Sequence, residues 1–407
     1  MLKDLDRLMD ERGTDAIVVV KAGSSANPAF TYVTRGGHFT TAYYVHQKGK
    51  TPHLVHGPME RDQAAATGYA TSDFNAHAMM EILEAEPDEG RARTKLVRRI
   101  LGDLGVHGRT AFYGIDDIAK AHTLLLGLAA EMKEIQVVAE SGESLLDVAR
   151  RTKDDWEIGE IKKAARGTIA GMAAVREFLR EAPRRDGRLF RPDGKPATIG
   201  DLRRLLRITF AEHGLIESQG SIVAGGRDCG VPHNQGDDAM PIAVGMPVLI
   251  DIYPQHSGGG YYFDMTRTFV AGEASDELRR TYQEVREARD RAFAAMKSGQ
   301  RSRQYQDLTC DYFESKGHAT VRQNPSIEEG YVHGLGHGLG LDVHEKPRMG
   351  GPKNNTDILE PGTVVTVEPG LYYPSRGYGV RLEDVAYVRP DGTIENLTDF
   401  PLEMELG

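Results

Sequence analysis

The second half of this 407-residue chain places acidic side chains in otherwise apolar stretches and adds a cluster of histidines. Asp251 sits in PVLIDIY (Pro247–Tyr253), among Val248, Leu249, Ile250 and Ile252. An isolated ionised carboxylate would be costly there unless a metal ion or a tight hydrogen-bond network met it. Asp264 sits in YYFDMTRTFV (Tyr261–Val270), and Gly258-Gly259-Gly260 between the two runs suggests a turn. Either aspartate alone reads as structural; two facing each other across one hairpin favour a metal.

The histidines lie in HGLGHGLGLDVH (His333–His344). His333 and His337 are four apart, as in half of a helical zinc site, but Gly334, Gly336, Gly338 and Gly340 make a helix implausible. The general-base Glu of H-E-x-x-H is also missing, because residue 334 is Gly. Three imidazoles on so permissive a backbone imply close approach to a ligand. Two glutamates complete the set: Glu368 in VVTVEP (Val364–Pro369) and Glu383 in GVRLED (Gly379–Asp384), each in an apolar run that reads as a strand. Arg381 and Glu383 are two apart and share a strand face. A buried Arg–Glu pair explains one of these glutamates but not both. Four carboxylates and one imidazole suit Mn2+, Co2+ or Fe2+, with Zn2+ as a further option, and disfavour thiolate-loving metals. Two such ions about 3.5 Å apart would activate water and polarise a carbonyl, which is hydrolysis without a nucleophilic side chain. No G-x-x-x-x-G-K-[ST] phosphate cradle competes with this reading.

These residues need a scaffold, and periodicity predicts an α+β chain in two parts. In residues 1–150 the pattern gives helices over Leu2–Arg12 and Arg91–Leu104, with strands at Asp15–Lys21, Thr41–Val45, Pro52–Val55 and Thr110–Tyr113, an α/β domain. In 151–407 it gives helices flanking a mainly antiparallel sheet. One long helical run is predicted over Leu145–Glu181, then a loop (Pro183–Pro196) and a helix over Ile199–Glu212. A further helix is capped by Ser275 and runs to about Lys297. Strands are predicted at Ser221–Ala224, Pro247–Tyr253, Tyr261–Phe269, Thr363–Glu368 and Tyr378–Val388.

Composition limits the function classes. Forty per cent apolar and 27% charged residues are ordinary for a globular protein, and no apolar run is long enough for a membrane span. The opening MLKDLDRLMDERG does not read as a secretory signal. Two cysteines, Cys229 and Cys310, suit a reducing cytoplasm. A net charge of −10 without a dense basic stripe argues against a nucleic-acid partner.

In order along the chain, VPHN (Val231–Asn234), LID…FDMTRTF (Leu249–Phe269), HGLGHGLGLDVHE (His333–Glu345), TVEPGLYYP (Thr366–Pro374) and GVRLED (Gly379–Asp384) resemble the pita-bread metallopeptidases. Within that fold they are similar to the Xaa-Pro peptidases, prolidase and aminopeptidase P. The resemblance covers the chain from about residue 155 onward and implies a pita-bread catalytic domain behind an N-terminal domain that limits peptide length. It implies Asp251, Asp264, His337, Glu368 and Glu383 as ligands of two divalent ions, Mn2+ foremost, with Asp264 and Glu383 bridging. Glu368 would shuttle the proton, and His233 and His344 would bind substrate and stabilise the tetrahedral intermediate. Arg381 would orient Glu383 or meet a substrate carboxylate, while His333 would support the site or contact substrate. The implied substrate is a small peptide with proline second, cleaved before proline, by a homodimer. Creatinase shares both domains and lacks the ligands, which are intact here.

One departure stands out. The family usually has DAG or DFG at the first aspartate and a spacing of eleven to the second; this chain has Asp251-Ile252-Tyr253 and a spacing of thirteen. Two extra residues preserve strand parity, so both carboxylates can still face inward. Dipeptidase action leads the expectations, followed by aminopeptidase P action on longer peptides. Arg35, in TYVTRGG, is a candidate cation for a dipeptide carboxylate, set against its reading as a solvated loop arginine. Non-peptide chemistry on the same scaffold, or a catalytically dead binding homologue, are the remaining alternatives.

Overall fold

The computed structural model describes residues 4–23 and 25–407. The chain divides into two compact units: one runs to Arg150 and includes Gly258–Gly260, the other comprises Arg151–Ser257 and Tyr261–Gly407.

The first unit is built on strand β1 (Ala16–Ala22), whose AIVVV run is buried on both faces. That demands neighbours on each edge and cover above and below. β1 pairs antiparallel with β2 (Thr41–Gln47) and parallel with β5 (Gly108–Ile115). With β3 (His53–His56), β4 (Ala70–Asp73) and β6 (Ile135–Val138) it forms a six-stranded sheet in the order β4-β3-β2-β1-β5-β6. Helices Glu89–Asp103 and Ile118–Glu131 supply Val97, Ile100, Leu124 and Leu128 to its core. The first helix is Leu5–Arg12; residues 2 and 3 of the expected span lie outside the described residues. Arg35 lies in this unit, in a left-handed conformation (φ 57°) at the end of helix Pro28–Thr34.

In the second unit, helix Asp155–Glu181 packs on helix Ile199–Glu212, which has the expected bounds. The single run expected over Leu145–Glu181 is in fact two helices, Leu145–Arg150 and Asp155–Glu181. Residues 151–154 leave the helix because Thr152 bridges to Thr363 and the Lys153 amide donates to Gly362 O at 2.8 Å. Asp154 then restarts the helix through a reciprocal capping box with Glu157. The expected loop after Pro183 contains a hairpin of β7 (Arg184–Arg185) and β8 (Arg188–Leu189), turning at Asp186-Gly187 with φ 46° and 72°. Asp-Gly suits two consecutive positive φ values, a signal the loop reading passed over. Helix Asp276–Ala295 begins where Ser275 accepts the Leu278 amide and stops two residues short of Lys297.

The strands that carry the acidic residues form several short sheets rather than one. β9 (Leu215–Ile216) pairs with β12 (Gln255–His256). β10 (Ile222–Gly225), β11 (Pro247–Ile252), β13 (Met265–Ala271) and β19 (Glu405–Leu406) form a sheet in that order. β14 (Val364–Val367), β17 (Asp384–Val388) and β18 (Ile394–Asn396) form another, and β15 (Gly370–Tyr373) pairs with β16 (Tyr378–Arg381). Three strand expectations are corrected. Tyr261–Asp264 precede β13, because Tyr262 donates to Gly340 O and Phe263 to Pro254 O. Glu368 lies past the end of β14, its amide donating to Leu335 O. The run Tyr378–Val388 is two strands in two sheets, and Glu383 crosses between them with its amide on Thr266 O at 3.1 Å.

Arg267 holds this crossover. Its side chain is fully buried and its guanidinium donates to Thr266 O, Glu383 O, Asp384 Oδ1, Phe400 O and Pro401 O. Arg267→Ala should lower stability by about 3 kcal/mol or more, as breaking a buried pair does. Arg267→Lys should recover only part of that, lacking the planar fork. Thermal unfolding of both variants against wild type checks the order; equal midpoints would contradict it.

Candidate functional site

Asp251 is on β11, 8% exposed, opposite Thr266 of β13. Asp264 is two residues before Thr266, so the aspartates are diagonal neighbours on one face rather than directly opposed. Asp264 Oδ1 is buried without a hydrogen-bond partner. Thr266 Oγ1 donates to Glu383 Oε2 at 2.7 Å and accepts from Arg381 Nε at 3.2 Å. Arg381 was expected on Glu383 or on substrate; its Nη2 instead pairs with Asp251 Oδ2, and its Nη1 donates to the Tyr372 hydroxyl at 2.9 Å.

The glycine-rich segment is non-helical and lies against β14. The His337 amide donates to Thr366 Oγ1, and the Thr366 amide donates back to His337 O at 2.8 Å. A Cβ on Gly336 would lie 2.1 Å from Thr366 O, and one on Gly338 would lie 2.3 Å from Lys346 O, so only glycine permits this approach. His337 Nδ1 is 3.0 Å from Gly338 O, which assigns the proton to Nδ1 and leaves the Nε2 lone pair free. That Nε2 is 3.5 Å from Glu368 Oε1 and 3.9 Å from Asp264 Oδ2. Ligand atoms of Asp264, His337 and Glu383 all lie within 4.8 Å of one another.

His333 uses both ring nitrogens inside the protein: Nδ1 donates to Gly334 O at 2.7 Å, and Nε2 accepts the Tyr372 hydroxyl at 2.7 Å. Contact between His333 and a substrate would require releasing one of them. His344 stacks edge-on against His337, with ring centroids 4.3 Å apart. His233 and His344 are exposed at the wall of a cavity of about 740 Å3 that also holds Asp251, Asp264, His333, His337, Glu368, Arg381 and Glu383. Sequence reasoning did not single out Thr266 or Tyr372; Tyr253 entered it only as part of the departure Asp251-Ile252-Tyr253. Thr266 was recoverable as the same-face neighbour of Asp264; Tyr372 carried no signal of its own.

The family model for metallopeptidase family M24 matches residues 159–390, more than half of the chain and all of this site. The chain belongs to metallopeptidase family M24. The uncharacterized peptidase YqhT of Bacillus subtilis is 37% identical over 271 residues, 67% of each chain. An Xaa-Pro dipeptidase of Pyrococcus furiosus is 30% identical over 243 residues, 60% of this chain and 61% of that one, which is less than two thirds of its length. The solved Xaa-Pro dipeptidase from Bacillus anthracis matches with TM-score 0.75 at 26% identity, covering 99% of both chains. An α+β fold with a pita-bread C-terminal part follows, and no described helix is long and apolar enough to cross a membrane.

The electrostatics suit the divalent-metal chemistry of an M24 peptidase. Burial, and then the neighbouring carboxylates, hold Asp264 and Glu368 well above the usual carboxylate range. Burial and Asp251 push Glu383 up to about 8. Burial, then His344, pushes His337 down to about 3, so its imidazole is neutral and able to donate a lone pair. Clustered buried carboxylates, an orphaned Asp264 oxygen and a neutral imidazole aimed at them fit a divalent cation.

The sign of the pH effect follows. A carboxyl whose folded pKa is raised binds more protons folded than unfolded, so its contribution to stability is lost as pH rises. Chelator-treated protein should therefore lose thermal stability as pH rises from about 4.5 towards 8, the interval over which Glu383 titrates in its two states. Added divalent ion should raise the midpoint more at pH 8 than at pH 6. A metal-induced shift that is equal or smaller at pH 8 would contradict this cause.

Proposed function

We propose that this chain hydrolyses the peptide bond preceding proline, with Xaa-Pro dipeptides as its preferred substrates. The observation that carries the reading is one cavity, of a size for a small peptide, lined by four carboxylates, four imidazoles and a guanidinium. The names of the Pyrococcus furiosus and Bacillus anthracis relatives support proline-directed cleavage. Asp251, Asp264, His337, Glu368 and Glu383 would hold two divalent ions, Mn2+ first, then Co2+, Zn2+ or Fe2+. When bound, such ions supply Lewis acidity to the scissile carbonyl and make a water nucleophilic near neutral pH.

The protein groups do the rest. Glu368, at the cavity wall beside the neutral His337, takes the proton of the attacking water and delivers it to the departing proline nitrogen. His344, its ring partly desolvated although the residue reaches solvent, is held neutral by that desolvation and by His233; it donates to the carbonyl oxygen as charge develops, and His233 binds substrate beside it. Arg381 orients Asp251 through their buried pair. Thr266 orients Glu383 by donating to its Oε2. A homodimer in the cytoplasm completes the proposal; Cys229 and Cys310 are both free and buried, in keeping with a reducing compartment.

Metal-stripped protein reconstituted with each ion should cleave Ala-Pro, leave Ala-Ala nearly untouched and act more slowly on Ala-Pro-Ala. Equal or faster cleavage of the tripeptide would reassign the chain as an Xaa-Pro aminopeptidase. Failure on every Xaa-Pro peptide at full metal occupancy would point to non-peptide chemistry. Glu368→Ala and His337→Ala should each reduce kcat by about a thousandfold or more while leaving circular dichroism unchanged. Turnover within tenfold of wild type in either would remove the assigned role.

A further inference from the structure

Residues 338–345 form a loop closed at its neck by its own backbone. The Gly338 amide donates to Glu345 O at 3.0 Å, and the Glu345 amide donates back to Gly338 O at 2.8 Å. Two imidazoles of the site flank that neck, His337 immediately before Gly338 and His344 immediately before Glu345. Inside the loop lies the Glu345 carboxylate. Its Oε1 accepts the Leu341 amide at 2.9 Å and the Asp342 amide at 3.2 Å, and its Oε2 accepts Lys153 Nζ at 2.8 Å. The fit is close, since a Cβ on Gly340 would lie 2.6 Å from Oε2. Both charged side chains are buried, 1% exposed for Lys153 and 7% for Glu345. Burying such a pair is costly unless its polar atoms are met, and here the carboxylate meets two loop amides and the ammonium. Lys153 is itself delivered from a fixed backbone, its amide on Gly362 O just ahead of β14.

The two histidines depend on this loop to different degrees. His337 is anchored outside it, through its exchange of hydrogen bonds with Thr366 on β14. Buried Leu339, Leu341 and Val343 hold the loop as a whole to the core. His344 makes no hydrogen bond among the described residues; its ring touches His337 edge-on and lines the cavity. Its direction is therefore set by the backbone that carries it, and on the C-terminal side that backbone is Glu345. The neck and the carboxylate together fix where it runs, as a supporting shell does for a reacting group.

We propose that Glu345 is a positioning residue for the hydrolysis: its carboxylate, held by Lys153, shapes the 338–345 loop so that His344 presents its ring to the substrate carbonyl. The proposal rests on the Xaa-Pro reading above, which gives His344 that role, and adds the group that acts through it. The carboxylate serves as acceptor for the loop amides, and Lys153 offsets the burial of its charge.

The test holds Lys153→Met fixed, so that no unpaired ammonium is buried, and compares Glu345→Gln with Glu345→Ala in that background. Each metal-loaded protein is assayed on Ala-Pro well below its thermal midpoint, with metal content measured. A glutamine carbonyl can still accept the Leu341 and Asp342 amides, so Lys153→Met/Glu345→Gln should keep kcat within about threefold of wild type. Lys153→Met/Glu345→Ala should lose kcat by about tenfold or more, the scale of a small misplacement at a reacting centre, while metal content holds and KM changes less. That loss should disappear in a His344→Ala background, where no ring is left to place, a coupling that a double-mutant cycle reads. Losses that multiply in that background would overturn the proposal, as would wild-type kcat in Lys153→Met/Glu345→Ala with only its midpoint lowered. Equal losses in the two variants would overturn the acceptor role, and loss of metal in Lys153→Met/Glu345→Ala would move the effect to His337 and overturn it too. Glu345→Asp keeps the charge and shortens its reach, which covers the case of an alanine substitution that does not fold. Its kcat should fall several-fold, and wild-type turnover there would overturn the proposal. If wild type cleaves no Xaa-Pro peptide, the parent reading fails and takes this one with it; an active wild type whose kcat ignores residue 345 isolates the failure to Glu345.

Discussion

A guanidinium with no solvent around it organises the catalytic half of this molecule. Arg267 donates to carbonyls on β13, at the Glu383 crossover and in the 400–401 segment, and to the buried Asp384 carboxylate. A buried charge of this kind is costly unless each donor is met, so the five acceptors must come together for the chain to fold at all. Once they do, β13 and the 383–384 junction are locked in one register. That register sets Asp264, Thr266 and Glu383 side by side. Arg289 also pairs with Asp384, so the clamp has two cations on one carboxylate.

The site built on that clamp opposes folding on its own terms. Asp251, Asp264, Glu368 and Glu383 are driven together, and three of them are held above the usual carboxylate range by burial and mutual repulsion. Arg381 offsets part of this through Asp251. A bound cation removes the remainder, which makes metal affinity and stability two faces of the same charge balance. The neutral His337 fits this logic, since a protonated imidazole would compete with the cation for the same carboxylates.

Much of this was legible in the sequence, for physical reasons that differ by residue. Asp251 was visible because an acid amid Val, Leu and Ile needs an explanation. The non-helical course of 333–344 was visible because four alternating glycines cannot sustain a helix. The expected bounds of helix Ile199–Glu212 held because the Thr198 capping box and the terminating Gly214 are both local. What escaped depended on distant partners. Nothing near Leu382 announces that β16 and β17 belong to different sheets, because the switch is enforced by Thr266 O and Arg267. The break at 151–154 is imposed by Thr363 and Gly362, about two hundred positions away in the numbering. Arg381 shares a face with Glu383 as its spacing implies, yet its charge goes to Asp251, which only the assembled fold brings near.

Asp264, Glu368 and Glu383 share one placement: each lies one residue outside a strand, before β13, after β14 and before β17. The amides of Glu368 and Glu383 bond to Leu335 O and Thr266 O, outside the ladders of β14 and β17. The site is thus stitched along the seams between sheets. Loosening it would unpick those seams while the ladders stay zipped, so the centre could come apart with almost no change in strand content. Spectroscopy of secondary structure would then be blind to the event, and proteases or amide exchange at the seams would be the first to register it.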